Sequence, residues 1–255
     1  MRILLSNDDG IRAKGIWSLA SVFSNDHDVI IAAPRTQQSG MSHALSIHHE
    51  IEFKRLNVNQ IIGLAQAHSF KLKNSVEAWE IDGTPTDCVK IYLEAMNDTV
   101  KPDVVISGIN HGANLATDVT YSGTVGAALE GHLHEIPALA VSIDIDSEIS
   151  FETAALSTAK FLSEACSHEG NFFYNINFPK AFKDNAAEFI WTKLGKRDYI
   201  NAFKLLNNED KTYYRIGGQV YDIDRSEGTD IYAVECGYVS VTPLHADMTN
   251  YRKLV

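Results

Sequence analysis

The patterning of the chain predicts an α/β fold: a mostly parallel sheet with helices on both faces and a protruding β-hairpin region toward the C-terminus. Three observations predict it. Short apolar runs alternate with amphipathic stretches through the first 180 residues. Several of these runs end in polar loops rich in Gly, Asn and Asp. From about residue 181 the alternation gives way to mixed aromatic, β-branched and polar runs. Parallel neighbours need a crossover rather than a tight turn, and helical crossovers cover both faces of the sheet.

Taken in order, residues 2–6 (RILLS) read as a buried strand ending in the turn-rich NDDG. Ile16, Leu19, Ala20 and Phe23 stand at helical spacing within residues 15–24. Residues 28–33 form the next strand, stopped by Pro34, and a polar loop runs on through Ser42. Residues 44–81 read as antiparallel strands rather than a helix. Thr84-Pro85 is a cap followed by the first helical position, and it opens a helix over 85–97. A strand over 103–107, a Gly/Asn-rich loop, a helix over 124–134 and a strand over 137–143 follow. A helix over 151–166 and a strand over 171–177 complete a core of residues 1–180. Residues 181–255 form the extension: hairpin material over 186–225, including the polar run NNEDK at 207–211, then a strand over 237–244 that returns to the core. Exposed hairpins invite pairing between subunits, so a homo-oligomer is expected. In a sheet of this kind the site lies beyond the carboxyl ends of the strands, at the switch point of their order. That puts NDDG, PRTQQSG and SGINHGAN at one edge.

The totals narrow the function. The chain has 255 residues and a formal net charge of −11. An acidic surface repels nucleic-acid backbones, so a polymer of that kind is not an expected partner. Cys88, Cys166 and Cys236 form no CxxC pair, which argues against a zinc ribbon or disulfide framework and fits a reducing, cytoplasmic setting. The opening MRILLSNDDG lacks the apolar run of a signal peptide, and no stretch approaches a membrane span.

Asp8 and Asp9 are adjacent carboxylates directly after a buried strand. A divalent cation would relieve both their repulsion and their desolvation. NDDG reads equally as a plain turn, since Asx residues satisfy backbone groups there. The Ser39 hydroxyl could complete an oxygen shell or meet a phosphate, or simply belong to a loop. No GxSxG elbow surrounds it. In the loop after the 103–107 strand, Asn110 offers a neutral carbonyl oxygen suited to magnesium or manganese. Asn114, and with it Ser107 at the loop's start, could contact a phosphate, although Asn and Gly also serve as turn formers. Ser122, Gly123 and Thr124 open a helix, where free N–H groups bind anions and where a plain N-cap is the alternative. Neither a GxGxxG after a strand nor a P-loop is present. His48 and His49 read as structural or exposed rather than as ligands; His245 could reach a site, although a lone histidine is more often structural.

Together ILLSNDDG, APR…SGMSHALS, DGTPTDC, SGINHGANLATDVTYSGTVGAALEG and GYVSVTPL resemble the SurE family, the stationary-phase survival proteins. The likeness is ordered along nearly the whole chain, dense over residues 1–145 and poorest over 181–225. It implies a Rossmann-like core with a partly swapped hairpin, homodimers or homotetramers, and metal-dependent hydrolysis of nucleoside 5′- and 3′-monophosphates. Some members also cleave polyphosphate. By motif position it places one divalent ion per subunit, Mg or Mn, on Asp8, Asp9, Ser39 and Asn110. Lys14 and Ala116 depart from the usual pattern, at positions that bear on loop shape and substrate preference.

The expected mechanism has a metal-activated water as nucleophile, with Asp8 or Asp9 assisting as base. Attack by an aspartate ranks lower, because the DxDx[TV] pattern is missing. Two other classes remain open at this stage. A nucleotide or metal sensor would bind without releasing phosphate. An oligomeric scaffold would depend on the region 186–225 and tolerate Asp8→Asn. An oxidoreductase would need a dinucleotide fingerprint that the chain lacks.

Overall fold

The computed structural model describes residues 1–96, 101–168, 170–208 and 211–253. The core half of the chain runs β1 (Arg2–Ser6), α1 (Lys14–Phe23), β2 (Asp28–Pro34), β3 (Phe53–Arg55), α2 (Val58–Ala67) and β4 (Val76–Ile81). It continues through α3 (Pro85–Glu94), β5 (Val104–His111), α4 (Gly123–Leu133), β6 (Ala138–Ile143), α5 (Phe151–His168) and β7 (Phe173–Phe178). Then come β8 (Phe189–Trp191), the arm strands β9 (Lys196–Ile200), β10 (Phe203–Asn208), β11 (Lys211–Ile216) and β12 (Gln219–Asp224), α6 (Asp230–Glu235) and β13 (Val239–Pro243).

Nine strands form one sheet in the order β3-β4-β2-β1-β5-β6-β7-β13-β8. The six from β4 through β7 run parallel to one another. β3 is antiparallel to β4, and β13 is antiparallel to β7. Strand parity divides the core. Ile3, Leu5, Ile106, Leu139 and Val141 pack toward α1, α2 and α5. Leu4, Val105, Ala138 and Ala140 pack toward α3 and α4. Helices therefore cover both faces, as the alternation predicts. The arm stands apart from this core as two antiparallel pairs, β9 with β12 and β10 with β11. Many of its apolar side chains, including Phe203, Tyr214 and Ile216, are exposed.

Three expectations need correction. Residues 44–81 are not all strand: α2 lies among them, closed by a capping box in which Asn57 and Gln60 satisfy each other's backbone N–H. Ile61 and Ala65, one turn apart, bury its inner face. The stretch beginning at Ser107 is not all loop, since β5 continues to His111 with a register shift between Ser107 and Asn110. Within 186–225, β8 is no hairpin strand but joins the core sheet beside β13. The helix from Thr84-Pro85 has its capping box with Asp87 and ends at Glu94; residue 97 lies outside the described residues, as do residues 209–210 of the polar run. No described helix is long and apolar enough to cross a membrane.

The end of β5 is held by close packing on α1. A Cβ at Gly15 would lie 2.0 Å from the Ile109 carbonyl oxygen. Only a residue without a side chain allows this contact, and Ile109 directly precedes Asn110. Gly15→Ala is expected to destabilise the chain by about 2 kcal/mol and to lower activity by shifting Asn110. Urea unfolding measures the first; an unchanged midpoint would show that the helix and strand are not in such contact.

Candidate active site

Strand order reverses at β1: β2 lies on one side of it and β5 on the other. The loops leaving the carboxyl ends of β1 and β5 therefore diverge and open a crevice between them. Residues 7–10 follow β1, residues 35–43 follow β2, and residues 112–122 lead to α4 from the end of β5, which carries Asn110. These segments line a cavity of about 350 Å³, to which Asp8, Asp9, Ser39, Asn110, Asn114 and Ser122 all contribute.

The first turn settles which Asx residue makes it. Asn7 is fully buried; its amide donates to the Gly10 carbonyl at 3.0 Å and its side-chain oxygen accepts from the Gly10 N–H at 3.2 Å. Asn7 thus carries the turn, and neither aspartate is needed for it. The Asp8 carboxylate, 5% exposed, accepts the Thr124 hydroxyl at 2.5 Å, and the Thr124 backbone N–H also favours its charge. The positive end of α4 is therefore directed at Asp8. Gly123 makes that approach possible, because a Cβ there would stand 3.0 Å from the Asp8 Cβ. Burial nevertheless dominates. It pushes the Asp8 carboxyl up from an ordinary 3.8 to about 6, against the Thr124 bond and with the Asp9 charge adding to the rise.

Asp9 is raised too, mainly by burial, and eased by the His111 N–H donating to its Oδ2 at 3.1 Å. Gln37 bridges the loops: its amide donates to the Ser39 Oγ at 3.0 Å and reaches Asp9 Oδ1 at a long 3.5 Å. The 35–43 loop is tied down where the Gln38 N–H donates to the Asp8 carbonyl at 2.7 Å. The Asn110 amide nitrogen donates to the Gly112 carbonyl at 2.7 Å. That bond fixes the side chain and leaves its carbonyl oxygen as the group offered to the cavity. Asn114 is anchored more deeply, its amide donating to Ser142 and its backbone held by Asn175 and Asn177.

Three expected substrate contacts, Ser107, Gly123 and Thr124, are not among the described residues that line the cavity. Ser107 is fully buried in β5, in register with Ser6 of β1 and Ala140 of β6. It shares the parity of Val105, so its hydroxyl faces the α3–α4 side of the sheet. Thr124 is fully buried and spends its hydroxyl on Asp8, and Gly123 packs behind the same carboxylate. Ser122 does reach the cavity, and its hydroxyl also caps α4 by accepting the Val125 N–H at 3.1 Å.

A family model described as Survival protein SurE matches residues 3–201. The chain belongs to the SurE family. Its relatives include "5'-nucleotidase SurE" of Heliobacterium modesticaldum, 40% identical over 98% of this chain and 88% of the relative. The protein of the same name from Caldanaerobacter subterraneus subsp. tengcongensis is 39% identical over 98% and 93%. The crystal structure of the SurE protein from Aquifex aeolicus superposes with a TM-score of 0.78 at 32% identity, covering 100% of this chain and 97% of that one.

This SurE member carries cavity residues that its sequence did not announce: Gln37, His111, Asp118, Tyr121 and Tyr199. Tyr199 comes from β9, at the root of the arm. Its hydroxyl donates to both oxygens of Asp118 at 2.9 Å. Arg197 pairs with Asp118 at 3.1 Å and with Asp222 at 2.6 Å. Thr117 exchanges two bonds with the Arg197 backbone, so the arm root is stitched to the turn before α4. Burial and the bond to Asp118 push the Tyr199 hydroxyl up to about 12, so it stays a neutral donor.

A hard divalent cation fits this donor set. Two carboxylates with raised affinity for positive charge meet a hydroxyl and an amide oxygen, and no Lys or Arg is among the described cavity-lining residues. The contrast is Glu94, Glu130 and His134, the described acidic and histidine side chains close enough to share an ion. There the Lys90 ammonium already bonds Glu94 at 2.7 Å and Glu130 at 3.1 Å. Burial works against the charge of Glu130, but its bonds to His43 and Lys90 prevail and hold its carboxyl down to about 2.

Asp8 gives a pH test. The folded chain binds its proton more tightly than the unfolded chain, so protonation favours folding. That stability is present below the ordinary value of 3.8 and is lost as pH rises through about 6. In metal-free protein, the stability of Asp8→Asn relative to the natural chain is expected to rise by about 2 kcal/mol between about pH 4 and about pH 7. Urea unfolding in chelator at both pH values measures it. An equal difference at the two values would show that Asp8 is not strained by burial.

Proposed function

We propose that the chain is a metal-dependent 5′-nucleotidase that hydrolyses nucleoside 5′-monophosphates to nucleoside and phosphate. The observation that carries this reading is the pairing of Asp8 and Asp9, freed from turn-making by Asn7, with the Ser39 and Asn110 oxygens in one cavity. The 5′-nucleotidase relatives, matched over nearly the full chain, point the same way. In this reading Asp8, Asp9, Ser39 and Asn110 hold one Mg or Mn ion per subunit. The ion supplies Lewis-acid stabilisation of the charge developing on the phosphoryl group.

The protein's own groups divide the remaining work. Asp8, fixed by Thr124 and the first turn of α4, holds the position of the charged centre. Asp9 Oδ1 has only the long Gln37 contact, which makes it the carboxylate free to accept a proton from the attacking water. Ser122 and Asn114 line the same cavity and orient the phosphate. The water oxygen bonds to phosphorus as its proton passes to Asp9, the ester P–O bond breaks, and the departing nucleoside oxygen takes that proton back from Asp9. Hydrolysis of 3′-monophosphates and short polyphosphate belongs to the same proposal. The exposed apolar arm supports assembly into a homodimer or homotetramer, and the three free cysteines support a reducing cytoplasm.

The test is phosphate release from a panel of nucleotides before and after chelation. We expect activity to vanish in chelator and return with manganese or magnesium, and Asp9→Asn to lower kcat by about a thousandfold or more. Full activity in the metal-free protein would reject the metal. No phosphate release from any nucleotide under metal-replete conditions would reject the enzyme.

A further inference from the structure

The cavity has more wall than a phosphate requires. Tyr199 and Tyr121 both border it, with exposures of 40% and 62%. One comes from the arm and the other from the segment leading into α4, so two separate parts of the chain bring an aromatic ring to the same opening. Tyr199 is also immobilised. Its hydroxyl is held by Asp118, Asp118 by Arg197, and Arg197 by Asp222 on the opposite strand of the arm. A ring fixed at its tip while exposed to a cavity is a pre-formed stacking surface, and little freedom is lost when a planar group settles on it. The carboxylate end of the cavity suits a cation and a phosphate. The aromatic border suits the flat, uncharged end of the same ligand.

We propose that Tyr199, with Tyr121 beside the same cavity, is the surface on which the nucleobase of a nucleoside monophosphate stacks, so that the root of the arm sets the preference for nucleotides over base-free phosphate esters. This rests on the phosphomonoesterase reading above and adds to it the group that recognises the base. Stacking is tolerant of base identity, since every base has a flat face. The preference is therefore for possession of a base, with modest discrimination among bases.

The experiment compares adenosine 5′-monophosphate with ribose 5-phosphate, which shares the sugar and the ester and lacks the base. The reading is the ratio of their kcat/KM values. In Tyr199→Ala the ratio is expected to fall about tenfold, the scale of one base stacked on one ring, chiefly through KM for the nucleotide. Tyr199→Phe keeps the ring and is expected to retain most of the ratio. Tyr121→Ala, a change at a largely exposed side chain, guards against misfolding of the first variant and is expected to lower the ratio several-fold. A purely structural role for Tyr199 would reduce both substrates together, and an unchanged ratio in Tyr199→Ala and Tyr121→Ala would overturn the proposal. So would a natural chain that turns over both esters equally, an outcome that leaves the phosphatase reading intact. Release of phosphate from neither ester would instead remove the phosphatase reading, and this proposal with it.

Discussion

Two neighbouring carboxylates held out of water are the constraint around which this structure is arranged. Burial opposes the charges of both Asp8 and Asp9, and the neighbouring Asp9 charge opposes that of Asp8 further. The surroundings answer with donors fixed in advance: the Thr124 hydroxyl and N–H for one carboxylate, the His111 N–H for the other. These offset the penalty only in part, since both groups remain above their ordinary range. What remains is an affinity for positive charge, and it is oriented toward a cavity with no described Lys or Arg side chain to satisfy it.

The fold supplies these donors from distant parts of the chain. Reversal of strand order at β1 opens the crevice, and close packing at Gly15 and Gly123 sets how near the neighbouring elements come. Gly15 lets α1 press on the end of β5, which positions Asn110; Gly123 lets α4 bring its first turn against Asp8. The arm adds a third contribution. Its root is fastened by Arg197 and Thr117 to the segment before α4, so a region that projects from the core also borders the site.

Local chemistry was legible in the chain, and contacts between distant segments were not. The β1 strand, the NDDG turn and the Thr84 cap follow from short-range patterns, and the structure has all three. The Asn57–Gln60 capping box was equally readable, but the β-branched and alternating character of the residues around it argued for strands and hid α2. The Gly and Asn residues after Ser107 argue for a loop starting there; the β5 ladder instead extends to His111, and parity turns Ser107 inward. Whether Asn7 or an aspartate makes the turn depends on which side chain folds back, and composition cannot decide that. Tyr199 reaches Asp118 across 81 positions of sequence. Nothing local marks such a pairing, which exists only once the arm has folded onto the segment before α4.

The most direct measurement counts Mn ions bound per chain by the loss of the free-ion paramagnetic resonance signal, in the natural protein and in Asp9→Asn, without substrate. The account predicts one ion per chain, displaced by magnesium, and binding weakened by a hundredfold or more when a single carboxylate of the pair is neutralised. Equal binding by the two proteins, or none by either, would contradict it.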